Sequence, residues 1–160
     1  MVLGHTGSGK TTAAKMIAKF LRSNPPRNCS DFIIEDYAAK KDLNPKEILK
    51  HKDNYRQDLF KYGLYRQDTD PAYPISEAIK HTNVVTGART PENLAAARSL
   101  FDLVIWVDRI AAKSGSTDKL GPKDADRVID NNSTFKELEE NIKKALVIEM
   151  TKSFRERRNI

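Results

Sequence analysis

The residues best suited to chemistry stand in one run: Gly4, His5, Thr6, Gly7, Ser8, Gly9, Lys10 and Thr11 match G-x-x-x-x-G-K-[ST] in full. A short apolar stretch precedes them and a helical pattern follows, which is the context this phosphate-binding loop needs. Its glycines let successive N–H groups turn inward onto phosphate oxygens, and the positive end of the helix opening near Lys10 adds to the attraction. Lys10 would reach the β- and γ-phosphates of ATP, and the Thr11 hydroxyl would ligate Mg²⁺. Thr12, next along, belongs to the same expected ATP-binding set. His5 occupies a variable position of the motif, where only the backbone is required. No Ser-His-Asp arrangement or zinc-ligand cluster is evident, and Cys29 has no partner motif.

Such a loop has to be held between a strand and a helix, and the hydrophobic pattern of the remainder repeats that alternation. Strands are expected at 1–3, 31–34, 83–86, 103–107 and 127–129, several nearly all apolar, as strands covered on both faces are. Only three residues precede Gly4, so the first strand is expected to be short or to begin upstream. A helix over 10–21 places Ala14, Ile17, Ala18 and Leu21 on one face and stops at Asn24-Pro25-Pro26. Asn44 as N-cap, Pro45 at the first helical position and Glu47 as capping-box acid open another, and the chain from there to about 81 reads as mostly helical. Helices over 91–100 and 134–153 complete the set, the last behind the box Thr134 to Glu137. Two stretches, 67–73 and 111–124, read as irregular; the second carries Lys113, Lys119 and Lys123 and has the length of a functional lid.

The 160 residues, 39% of them hydrophobic, suffice for one core and one domain, 1–160. A single cysteine cannot form an internal disulfide, and no signal-peptide pattern or membrane-spanning apolar run is present, so a cytoplasmic protein with no membrane role is expected. The formal charge of +6 fits any polyanionic partner. Without interleaved aromatics or a binding motif, a nucleic-acid polymer is not expected, and the basic tail 155–158 reads as a solvated helix end.

The chain lacks an N-K-x-D guanine motif and is small for a motor, which leaves kinases of small molecules in front. Nearly end to end it resembles the deoxynucleoside monophosphate kinases of bacteriophages, relatives of the adenylate-kinase-like P-loop kinases. The resemblance rests on the P-loop, on 36–41 (DYAAKK), on 55–63 (YRQDLFKYG) leading to Arg66 and Asp70-Pro71, and on 84–93 (VVTGARTPEN). It continues through 103–109 and 126–133 (DRVIDNNS). The family implies a P-loop kinase three-layer fold, about five parallel strands flanked by helices, with an acceptor-binding helical region at about 36–82 and a lid at about 110–125. It also implies transfer of the γ-phosphoryl of ATP, with Mg²⁺, to a (deoxy)nucleoside monophosphate.

By that resemblance Lys10, Arg56, Arg89 and Arg109 would be catalytic, and Asp36, Lys40, Arg56, Arg66 and Arg89 would bind the acceptor. Arg109 and Asn131 would contact the donor nucleotide. Arginine suits such clamps because its planar fork grips two phosphate oxygens at once. The alternative for each arginine is a surface salt bridge, for each lid lysine a solvated loop, and for Asn131 a turn residue. Gly87 stands where relatives carry a carboxylate that supports the metal, and Glu35 and Asp36, expected just after the second strand, are the substitutes in reach. Two readings remain beside this one: a kinase of another small metabolite, and a nucleotide-binding regulator without transfer activity. A homodimer through a helical surface is also open.

Overall fold

The computed structural model describes residues 1–113 and 119–158. In chain order its elements are β1 (Val2–Leu3), α1 (Lys10–Phe20), β2 (Arg27–Asn28), α2 (Cys29–Lys41), α3 (Pro45–Lys50), α4 (Lys52–Gln67), α5 (Ile75–Ala78), β3 (Val85–Thr86), α6 (Pro91–Ala97), β4 (Ile105–Asp108), β5 (Arg127–Asp130) and α7 (Phe135–Arg158). All five strands lie parallel in one sheet, in the order β2-β3-β1-β4-β5. Val2 of the central β1 stands opposite Thr86 on one side and Ile105 on the other. The connection from β3 to β4 passes across β1, so the strand order switches direction there, and the crevice beyond the carboxyl ends of β1, β3 and β4 is where open sheets of this kind bind ligands.

The two-residue period of the strands sorts their side chains into two cores. Val2, Val84, Ile105, Val107 and Ile129 face α1 and α7, meeting Ala13, Ala14, Ile17, Leu138 and Ile142. Leu3, Val85 and Trp106 face the opposite way, against Cys29, Phe32, Ile75, Leu94 and Ala97 of α2, α5 and α6. A third cluster, Ile34, Tyr37, Ala38, Ile48, Leu59 and Tyr62, joins α2, α3 and α4 into a helical unit of its own. This is the three-layer α/β arrangement expected. No helix among the described residues is long and apolar enough to cross a membrane.

The main departure is the second strand. The run 31–34 is not extended; it lies inside α2, and the strand is the pair Arg27–Asn28 before it. A short apolar run cannot by itself distinguish a strand from a buried helix segment. Here the deciding signal is Asn28, whose side chain caps α2 by accepting from the Ser30 N–H at 3.0 Å. Glu35 and Asp36 therefore project from the middle of a helix, two and more turns from the sheet edge. Elsewhere the corrections are of extent: β3 and β4 are shifted or shortened by a residue or two, β5 runs one residue further to Asp130, α4 runs through Gln67, and 98–100 form a 3-10 turn. Asn44 caps α3 through the Lys46 N–H. At α7 the Thr134 and Glu137 box does form, each side chain meeting the other's backbone N–H at 3.2 Å. Of the expected lid, 114–118 lie outside the described residues; 122–124 form a 3-10 turn.

Candidate functional site

The loop from Gly4 to Thr11 wraps the amino end of α1. Gly9, at φ 89°, sits directly against the Asn131 side chain, so both its left-handed backbone and the missing Cβ are required. The loop is tied to itself through the His5 carbonyl, which accepts from Ser8 N–H at 3.1 Å and from Lys10 Nζ at 3.1 Å. Asn131 Nδ2 donates to the Ser8 carbonyl at 2.7 Å, bracing the loop from outside. That places Asn131 as a strut between β5 and the phosphate loop. Lys113 N–H donates to the Thr6 carbonyl at 3.1 Å in an isolated antiparallel bridge, and Arg109 follows β4 in an exposed turn beside it. The ring of His5 packs edge-to-face on Trp106, 4.9 Å between centroids.

A cavity of about 120 Å³ opens between α2, α4 and the segment after β3. One wall is a single face of α4: Lys52, Arg56, Leu59, Phe60, Gly63, Leu64 and Gln67 recur at helical spacing. Read along the helix, that face is cationic, then apolar, then amide. Opposite stand Ser30, Ile33, Pro74, Gly87, Arg89, Thr90 and Asn93. The structure thus brings Arg56 and Arg89 to one chamber and adds Lys52. Lys52 Nζ donates to Ser30 Oγ at 3.0 Å, and its ammonium is lowered from the ordinary lysine pKa, first by burial and then by Arg89 and Arg56, against the opposing pull of Asp31. Arg56 pairs with Asp53 at 2.9 Å, but both side chains are mostly exposed, so the pair is weak and either partner can be exchanged for a ligand. The Arg89 carbonyl accepts from the Lys119 N–H at 3.0 Å.

Asp36, Arg66 and Lys40 are elsewhere. Arg66 Nη1 meets Asp36 Oδ2 at 2.7 Å, the buried Tyr73 hydroxyl donates to the same oxygen at 3.1 Å, and the guanidinium lies 4.9 Å over the Tyr73 ring. Burial, then Asp36, pushes the Tyr73 hydroxyl above its ordinary pKa. Lys40 Nζ rests 4.5 Å over the Tyr65 ring and 5.3 Å over that of Tyr62. These side chains fasten α2 to α4 and are not among the residues lining the cavity.

Gly87, at φ 95°, is pressed against Asn28 Oδ1, with the Cys29 amide nitrogen 3.3 Å from where a Cβ would stand. A side chain there would displace the Asn28 side chain that caps α2. An acid is nevertheless close by: Asp31, on the first turn of α2, lines a groove together with Thr11, Asn28 and Thr86. The sequence held the signal for it, since Asn28-Cys29-Ser30-Asp31 is a capped helix start, but placing a strand over 31–34 hid it. Likewise Lys52 stands four residues before Arg56 and so on the same helix face. Replacing Gly87 with Ala should destabilise the fold by about 2–4 kcal/mol, combining left-handed backbone strain with displacement of the Asn28 cap. Urea unfolding reads this as a lowered midpoint at unchanged slope; an unaltered midpoint contradicts the packing described.

No family model matches this chain, and no curated protein does. Among solved structures, it is similar to a shikimate kinase from Aquifex aeolicus vf5, at 16% identity and a TM-score of 0.47 over 92% of this chain and 95% of that one. At that level the likeness does not bear on substrate.

Proposed function

We propose that this chain is a phosphotransferase that moves the γ-phosphoryl group of ATP to a (deoxy)nucleoside monophosphate, giving the diphosphate. The observation that carries the reading is the order of side chains along the cavity wall. Lys52 and Arg56 can hold a dianionic phosphate, Leu59, Phe60 and Leu64 offer an apolar slot to a flat ring, and Gln67 ends the slot with an amide. About 16 Å of helix separates Arg56 from Gln67, a span comparable in length to a nucleotide laid along α4. A small polyhydroxylated acceptor would instead call for polar groups where this wall is apolar.

Transfer between two anionic nucleotides is opposed by charge repulsion, so cations are needed on both sides of the reacting centre. Lys10 supplies them from the donor loop; Lys52, Arg56 and Arg89 supply them from the acceptor side. An oxygen of the acceptor phosphate bonds to the γ-phosphorus as the bond to the β,γ-bridging oxygen breaks, and ADP leaves. Mg²⁺ would be held by the Thr11 hydroxyl with Asp31 nearby; hydroxyl and carboxylate oxygens on one groove suit a hard cation that keeps most of its waters. Among the described residues no cluster of three His, Cys, Asp or Glu could hold a metal ion. When bound, Mg²⁺ offsets charge on the phosphate oxygens.

The test is incubation with ATP, Mg²⁺ and each nucleoside monophosphate, following the diphosphate formed. ATP binding without product from any of them overturns the reading in favour of a nucleotide-binding regulator or a kinase with another acceptor. Lys52→Met should raise the acceptor KM by about ten- to a hundredfold, as expected for losing a hydrogen bond to a charged group, and leave the ATP KM nearly unchanged. Because the Lys52 ammonium titrates below an ordinary lysine, kcat/KM for the acceptor should also begin to fall at lower pH than such a lysine would dictate, and Met at this position should remove that limb.

A further inference from the structure

We infer that the cavity selects an acceptor base carrying an exocyclic amine over one carrying a carbonyl in its place. The inference rests on the nucleoside monophosphate reading above and deepens it. At the end of the cavity away from Lys52 and Arg56 stand two amide side chains, Gln67 and Asn93. Both are fastened to the same turn: Gln67 Nε2 donates to the Tyr73 carbonyl at 3.0 Å, and Asn93 Nδ2 donates to Pro71 O at 3.0 Å and Tyr73 O at 2.8 Å. A backbone carbonyl can only accept, so these bonds fix which end of each amide is nitrogen.

Counting donors then decides what is left for a ligand. Asn93 has two amide hydrogens and both are spent on backbone carbonyls, so it can offer only oxygen. Gln67 spends one of its two, and its oxygen, like that of Asn93, accepts no hydrogen bond among the described residues. Asn93 is 4% exposed, so its orientation is set by packing and does not swing to suit a ligand. The neighbouring wall of Leu64 and Pro74 has no donor to offer. A base amine supplies the hydrogens these oxygens lack. A keto base brings only the one ring N–H beside its carbonyl; the second Gln67 hydrogen can meet that carbonyl, but one of the two amide oxygens is then left unmet in an apolar slot, which is costly.

The matched pairs dCMP with dUMP and dAMP with dIMP differ in this exocyclic group and in the ring nitrogen beside it, an acceptor in the first member and an N–H in the second. With the full chain, ATP and Mg²⁺, kcat/KM should favour dCMP over dUMP and dAMP over dIMP by at least roughly tenfold, the size of discrimination that a site built around one hydrogen-bonding group achieves. Asn93→Leu should bring both ratios towards one while the ATP KM stays put. Equal use of both members of each pair by the unaltered chain overturns the inference and leaves the kinase reading standing; no turnover of any monophosphate overturns both. Asn93→Leu that melts cooperatively yet keeps the ratios also overturns it. Should that variant not fold, the matched pairs on the unaltered chain decide alone.

Discussion

Lys10→Ala is expected to lower kcat by about 10²–10³-fold, the usual cost of removing one preorganised charge or donor from a developing transition-state charge. Lys10 is the first residue of α1, and its ammonium reaches back to the His5 carbonyl. That contact holds the side chain over the loop, where the β- and γ-phosphates would lie. The loop itself should survive the change. Its glycine geometry, the Ser8 to His5 turn and the Asn131 strut involve no lysine atom, and alanine is a good helix former at the vacated position. The distinguishing result is therefore a chain with nearly unchanged thermal melting and lost turnover. Wild-type turnover by Lys10→Ala would remove the phosphate cradle from the account.

Arg89→Ala is expected to reduce kcat/KM for the acceptor by about 10²-fold or more, in line with removing a charged hydrogen-bonding partner from a desolvated contact. ATP affinity should change little. Arg89 stands on the segment after β3 beside the crevice where the sheet order switches, and it lines the cavity proposed for the acceptor. Its backbone carbonyl is engaged separately by Lys119, so truncating the side chain leaves that connection in place. Arg89→Lys should recover only part of the loss, because the ammonium restores charge without the two-pronged grip. Full activity in Arg89→Ala, measured at subsaturating acceptor, would contradict this placement.

The phosphate loop could be read directly because its chemistry needs particular residues at fixed spacing, and nothing distant is required to complete it. The layer architecture was legible for a related reason: strands covered on both faces announce themselves as apolar runs between helical patterns. What failed was local. Phe32, Ile33 and Ile34 have the composition of a strand, and only the cap at Asn28 shows that the chain has already turned into a helix. That one error hid Asp31, which lines a groove with Thr11, and left Glu35 and Asp36 as the acids considered. The chamber proposed for the acceptor was half legible, since Arg56 and Arg89 line it but Arg66 is held by Asp36 across the α2 and α4 contact. No spacing within one helix can disclose a partner on another. Lys52 and the face it begins were legible in principle from the four-residue interval to Arg56.

The chain's one tryptophan, Trp106, is 2% exposed, and its ring meets that of His5 inside the phosphate loop. Its indole N–H has no hydrogen-bond partner among the described residues, so its surroundings are set by that imidazole and by apolar neighbours. The protein thereby carries an optical probe wired to its own active loop. Occupancy of the loop should be visible as a change in intrinsic emission, without a label and without turnover, and free of interference from a second indole.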